Sequence, residues 1–210
     1  MRYSFYAALV LLLLLLSAVE LLYSSKTISL PEATAYSSMA LSLLFSLIVF
    51  VYLLAKGRTL KAIISELGLS RRRLLPRYVM MGILLFLLFL FMEVGVSLIS
   101  ELTGMQFPTN VSTVLGSLPL YFYAFTVAIA PINEEILFRG FLAPRIGIVG
   151  SSVIFAALHY ISYFSVTEFI AALAFGIISA YIFKRTKSLY PSIVGHVLIN
   201  LIGIITTFFA

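Results

Sequence analysis

The sequence predicts an all-α, polytopic membrane bundle of about seven spans with an amphipathic helix on the inner leaflet. Three observations carry that prediction. Hydrophobic residues make up 62% of the 210 positions and charged residues only 10%, for a mean hydropathy of +1.13, more apolar surface than a soluble domain of this size can bury. The apolar runs are long and continuous and do not alternate, which points to helices and away from a β-barrel. In hydrocarbon every backbone amide must find its partner within the protein, and a helix satisfies that condition one segment at a time.

The expected spans, each near the length that crosses about 30 Å of hydrocarbon, are Phe5 to Tyr23, Tyr36 to Ala55, Tyr78 to Ser100, Thr113 to Phe138, Ser151 to Phe164, Glu168 to Phe183 and Leu189 to Phe209. The fifth is short and is bounded by Gly147 and Gly150. The first has a basic start, a leucine run and Ser17-Ala18-Val19, so a cleaved leader is its alternative reading. The whole chain, 1–210, reads as one integral membrane domain.

Between the second and third spans, Leu60, Ile63, Ile64 and Leu67 form an i, i+3, i+4, i+7 stripe, with Gly68 as a helix stop and Arg71-Arg72-Arg73 beyond it. This is the pattern of an amphipathic helix lying on the inner leaflet.

Charge gives the orientation. With the amino terminus cytoplasmic and the carboxyl terminus external, 13 of the 14 basic residues fall inside and only Lys26 falls outside. The net charge of +6 therefore reads as membrane orientation and contact with anionic lipid, not as nucleic-acid binding. The absence of cysteine excludes disulfides, thiolate metal sites and a cysteine nucleophile.

A charged side chain at mid-bilayer costs about 2.5 to 3.5 kcal/mol on insertion scales, so polar residues inside the spans need a reason. The fourth span ends Pro131-Ile132-Asn133-Glu134-Glu135-Ile136-Leu137-Phe138-Arg139. Glu135 and Arg139, acid first at i, i+4, can pair. Glu134, about 100° around the helix, has no partner nearby in sequence, and a carboxyl group in apolar surroundings suits a general base or acid.

The chain's two histidines, His159 and His196, both fall within spans, and His196 shares a helix face with Asn200. Counting from helix starts at Ser151 and Leu189 places both imidazoles roughly 10 to 12 Å from the inner ends. Glu134 stands at a similar depth, so the set is expected to meet in the cytoplasmic third of the bilayer. Glu93, isolated in the third span, reads as a structural carboxyl group or as a contributor to the site.

The ordered strings Glu134-Glu135-x-x-x-Arg139, Phe155-x-x-x-His159 and His196-x-x-x-Asn200, with Leu189 to Ile193 leading into the last, resemble the CPBP family. That family groups type II CAAX prenyl endopeptidases with Abi-like, bacteriocin-processing and immunity-associated membrane proteins. The resemblance covers a core of about 113–209. It implies a membrane-embedded endopeptidase acting on membrane-anchored peptides or lipidated proteins, with prenylated CAAX-type proteins as one option. Glu134 and His159 would activate a water, His196 and Asn200 would stabilise the oxyanion, and Glu135 with Arg139 would orient the site or the substrate.

No cofactor is expected on this reading. Zinc or another divalent metal held by Glu134, His159 and His196 is the alternative, although no HExxH motif is present. A proton- or ion-coupled transporter and a non-catalytic immunity or binding protein are the competing functions.

Overall fold

The computed structural model describes residues 29–71 and 75–209, together with Leu22 and residues 25–27. Apart from Leu22, the first expected span lies outside the described residues, and so do Arg72 and Arg73. The described residues form helices and connecting turns, without strands.

The first described helix, α1 (Leu30–Ala55), begins six residues before the expected Tyr36. The cause is a reciprocal cap: the Ser29 hydroxyl accepts from the Glu32 amide at 3.4 Å, and the Glu32 carboxylate accepts from the Ser29 amide at 2.7 Å. Pro31 sits in the first turn, where its missing N–H costs nothing. Helix α2 (Leu60–Glu66) follows, capped by Thr59, and the chain turns at Gly68 with φ +75°.

The expected stripe forms, but it packs mostly on protein. Ile63 and Leu67 are fully buried with Val49, Leu53, Ile136, Phe183 and Leu189, while Leu60 is exposed. Periodicity identifies an apolar face; it cannot say whether lipid or protein covers it. Two hydrogen bonds fasten this linker to the start of the last helix, from the Leu189 amide to the Gly68 carbonyl (3.2 Å) and from the Tyr190 hydroxyl to the Leu69 carbonyl (3.0 Å).

Helix α3 (Pro76–Thr103) matches the third expected span, with Pro76 opening it and Gly104 closing it. The fourth span is not one rod. It comprises α4 (Val111–Gly116), α5 (Leu120–Ala128), α6 (Ala130–Glu135) and a π-helical segment, Ile136–Leu142, that runs into α7 (Ala143–Tyr163).

Among the described residues, five helical stretches are long and apolar enough to cross a membrane, and Leu120–Tyr163 is counted among them as a single 44-residue unit. At 1.5 Å per residue that unit would run about 66 Å, twice the hydrocarbon thickness. It folds back at Gly147, whose φ of 85° and ψ of 163° suit only glycine. Beyond the reversal the Ser151 hydroxyl donates to the Phe138 carbonyl at 2.6 Å, and the Phe138 and Phe155 rings meet edge-on at 5.1 Å. The two limbs cover the segments expected as the fourth and fifth spans, and the second begins at Gly147, four residues earlier than expected; the expected count of seven is not established by the five stretches.

Helices α8 (Val166–Thr186) and α9 (Tyr190–Phe209) complete the bundle. The α3–α9 crossing is close because of glycine: a Cβ on Gly82 would lie 2.6 Å from Val194 Cβ, and one on Gly195 would lie 3.0 Å from the Leu85 side chain. That approach carries His196, the next residue, into the bundle. Large apolar side chains such as Leu84, Phe91 and Leu102 face outward, as lipid-facing residues do.

At the end of the bundle opposite Gly147, the segment before α4 is strapped to the α7–α8 turn. Ser165 Oγ donates to the Pro108 carbonyl (3.0 Å), Thr109 to Glu168 (2.9 Å), and the Asn110 amide to the Tyr163 carbonyl (3.0 Å).

Candidate active site

Proline starts the construction of the site. Pro131 lacks an N–H, so the Val127 carbonyl loses its helical donor and the chain bends at Ile129 (φ −116°, ψ −47°). The two glutamates follow within two turns of this break, and the helix then widens into the π-helical segment that contains Arg139.

Among the described residues, Glu135 and Arg139 are the most deeply enclosed charges, at 0% and 1% side-chain exposure, with Arg139 Nε 3.1 Å from Glu135 Oε2. The single Nε–H is directed at Ser179 Oγ on α8 (2.8 Å), so the contact to Glu135 is ionic. Neither terminal nitrogen of Arg139 makes a hydrogen bond among the described residues. The guanidinium carbon instead lies 4.0 Å from the centroid of Phe155 and 5.1 Å from that of Phe175, so aromatic faces stabilise the cation.

His196 is inserted between the two carboxylates. Its Nδ1 is 3.0 Å from Glu135 Oε1, and its Nε2 is 3.7 Å from Glu134 Oε2. Phe155 and Phe175 both present rings to it, at 5.9 and 5.2 Å. His159 packs its ring on Phe155, one turn back, at 4.4 Å, and its Nδ1 lies 3.1 Å from the Phe155 carbonyl. Both Nδ1 atoms face oxygen acceptors, so in the neutral rings Nδ1 carries the proton and Nε2 the lone pair.

One ligand atom from each of Glu134, His159 and His196 lies within 4.8 Å of the others, and Glu134 Oε2 is buried without a hydrogen-bond partner among the described residues. The sequence pairs Glu134 with His159 and His196 with Asn200; the structure makes His196 the hub, touching both glutamates. Asn200 is one turn further along α9 and donates to the Thr126 carbonyl at 2.9 Å, on the near side of the break.

His159 stands twelve residues past Gly147, about 18 Å along α7, and four before its end. His196 is six residues, about 9 Å, into α9. A common distance of 10 to 12 Å from the inner ends does not hold for His159, because α7 starts earlier than Ser151.

Glu93 is exposed on α3 and is not drawn into the cluster. Sequence reasoning passed over Ser179, the acceptor for Arg139, and Tyr163, whose ring follows Phe155 and His159 along α7 at 6.4 Å from the imidazole. The i, i+4, i+8 spacing of those three rings was the available signal for Tyr163.

Fold and site together define an all-helical integral membrane protein with a carboxylate–imidazole cluster enclosed by its helices. Residues 116–202 match the family described as Type II CAAX prenyl endopeptidase Rce1-like, so the resemblance read from the three motifs holds over the segment that carries them. That family consists of membrane proteases of the CAAX type. No curated protein and no solved structure matches the chain.

Proposed function

We propose that the protein is a membrane-embedded endopeptidase that hydrolyses a peptide bond in a membrane-anchored or lipidated substrate, with a water activated by Glu134. The observation that carries this reading is Glu134 Oε2, a buried atom without a hydrogen-bond partner among the described residues, on a carboxylate that clusters with both imidazoles.

A water held by Glu134 and His159 gives its proton to Glu134 as its oxygen bonds to the scissile carbonyl carbon. The electron pair of the C=O bond moves to oxygen. That oxyanion is met by His196, acting as an imidazolium with Nδ1–H on Glu135 and Nε2–H on the oxyanion, and by Asn200. An amide nitrogen has two hydrogens; the Thr126 carbonyl takes one and so aims the other. The C–N bond then breaks, and Glu134 returns the proton to the leaving amine. Glu135 and Arg139 hold His196 in place. The amino terminus is cytoplasmic and the carboxyl terminus external on this reading, and His159 lies closer to mid-bilayer than to the inner surface.

The full chain, purified and reconstituted in lipid, is expected to cleave a lipidated reporter peptide. Glu134→Gln lowers turnover at least about 100-fold, within the range general-base removal produces, while thermal unfolding stays unchanged. Normal cleavage by that variant, or ion flux in sealed vesicles with no peptide product, overturns the assignment.

A second reading has its own support. Glu134, His159 and His196 form a donor set that zinc accepts, and the acceptors on both Nδ1 atoms are the outer-shell contacts that metal-binding histidines use. Ligand atoms 2.0 to 2.1 Å from a tetrahedral zinc lie roughly 3.3 to 3.4 Å apart. The 3.7 Å between His196 and Glu134 nearly meets that, and the widest separation, up to 4.8 Å, would have to close. Bound metal would supply Lewis acidity to the water. Loss of activity in a chelator, with recovery on adding zinc, selects this version; activity unaffected by the chelator selects the metal-free one.

A further inference from the structure

A helix broken within hydrocarbon needs neighbouring groups to satisfy its freed backbone and to hold its two limbs. Two side-chain amides bracket the break before Glu134. On the near side, Asn200 donates to the Thr126 carbonyl. On the far side, Asn133 commits both ends of its amide to α1: Oδ1 accepts from Ser46 Oγ at 2.5 Å, and Nδ2 donates to Ser42 Oγ at 3.3 Å. Ser42 and Ser46 are four residues apart and so present their hydroxyls on one face of α1. Asn133 is 7% exposed and Ser42 is 6%.

Glu134, the next residue, has no comparable tether, since its buried Oε2 makes no hydrogen bond among the described residues. Its carboxylate is placed by the backbone that carries it, and that backbone is gripped through Asn133. We infer that Asn133, clamped by Ser42 and Ser46, is a positioning residue that sets the Glu134 carboxylate against the two imidazoles. The inference rests on the reading of Glu134 as the base. It gives α1 a part in the chemistry although α1 contributes none of the three motifs, and it explains three polar side chains in apolar helices that the mechanism otherwise leaves unused.

The residue types fit the task. An amide offers one acceptor and one donor side by side, which matches two hydroxyls that each can donate or accept. Leucine has nearly the same shape with neither function, and serine hydroxyls released from the clamp can turn back to their own helix carbonyls. Asn133→Leu is therefore expected to fold while losing the grip.

The test uses the full chain in lipid with the lipidated reporter, reading kcat, KM and thermal unfolding for each variant. Asn133→Leu and the pair Ser42→Ala/Ser46→Ala are each expected to lower kcat at least about tenfold with KM within about twofold, because small misplacements of a reacting group cost rate. All three substitutions together should cost no more than either set alone, since both remove one clamp. Leu53→Ala, which opens a void lower on α1, controls for general loosening. It should lower the unfolding temperature and leave kcat near the parent value. Parent-like kcat in Asn133→Leu, a kcat loss that Leu53→Ala reproduces at equal loss of stability, or additive losses in the combined variant each overturn the inference. Retained turnover in Glu134→Gln overturns the hydrolytic reading and this inference with it, whereas retained turnover in Asn133→Leu alone overturns only the inference.

Discussion

Replacing Arg139 with methionine keeps most of the side chain's length and removes its charge, leaving the Glu135 carboxylate enclosed with only His196 and the Ser192 hydroxyl beside it among the described residues. Both members of the pair are essentially inaccessible, at 1% and 0% side-chain exposure, so solvent screens little of the interaction. Breaking one side of such a buried pair costs about 3 to 5 kcal/mol. For a chain of this size that corresponds to a fall of roughly 6 to 20 °C in unfolding temperature. The chain has no tryptophan but 12 tyrosines, so thermal unfolding in detergent is followed by circular dichroism or tyrosine emission.

The companion variant, Glu135→Gln/Arg139→Met, removes both charges and is expected to regain more than half of the lost stability, because a neutral replacement leaves no uncompensated charge. It should stay inactive, since the carboxylate that holds His196 Nδ1 is gone. A single variant as stable as the parent would refute the idea that this pair supports the fold. A double variant no better than the single would refute the electrostatic account and place the cost in lost packing on Phe155 and Phe175.

Gly147→Ala is expected to cost about 1 to 3 kcal/mol in the same melt, from backbone strain alone, because a Cβ there would meet no atom within 4 Å; an unchanged melt would mean that the reversal does not hold φ at 85°. Glu66→Gln removes the ion pairs to Arg145 (3.0 Å) and Arg58 (3.9 Å), whose members are about one-third or more exposed, and should change stability by less than about 1 kcal/mol. A larger loss would show that the linker's attachment to the bundle depends on charge instead of on Ile63 and Leu67.

What was legible from sequence follows from what hydropathy and spacing can carry. Apolar length marked the long helices, and a spacing of four predicted the Glu135–Arg139 pair, which the structure forms. The early start of α1 was readable too, in Ser29-x-x-Glu32 behind Pro31, but the hydrophobic run draws attention to Tyr36. The π-helical segment was not readable, because an all-apolar stretch such as Ile136 to Phe138 has no contrast between faces to reveal its period.

The link from His196 to Glu134 and Glu135 joins residues 62 and 61 positions apart, and no local pattern contains it. Ser42, Ser46 and Ser179 read as isolated hydroxyls in apolar helices, and serine in that setting has the ordinary alternative of bonding its own backbone. Their meaning comes only from what faces them.

The two histidines bring the chemistry to one question about protons. Each Nδ1 is opposite an acceptor, the Glu135 carboxylate for His196 and the Phe155 carbonyl for His159, so each neutral ring presents a lone pair at Nε2. Two lone pairs and a carboxylate form a set that holds a water proton or a cation, and neither neutral ring can donate to an oxyanion. The metal-free route therefore asks His196, and not His159, to carry a second proton. The surroundings of the two rings differ: His196 has Glu135 at one nitrogen and Glu134 toward the other, whereas His159 has a backbone carbonyl at Nδ1, the Phe155 ring against its face and Glu134 as its neighbouring carboxylate. This asymmetry divides the labour under the hydrolytic reading, with His159 as acceptor for the water and His196 as donor to the oxyanion. It also makes Glu135, through its contact with Nδ1, the residue on which His196's role depends in either version of the mechanism.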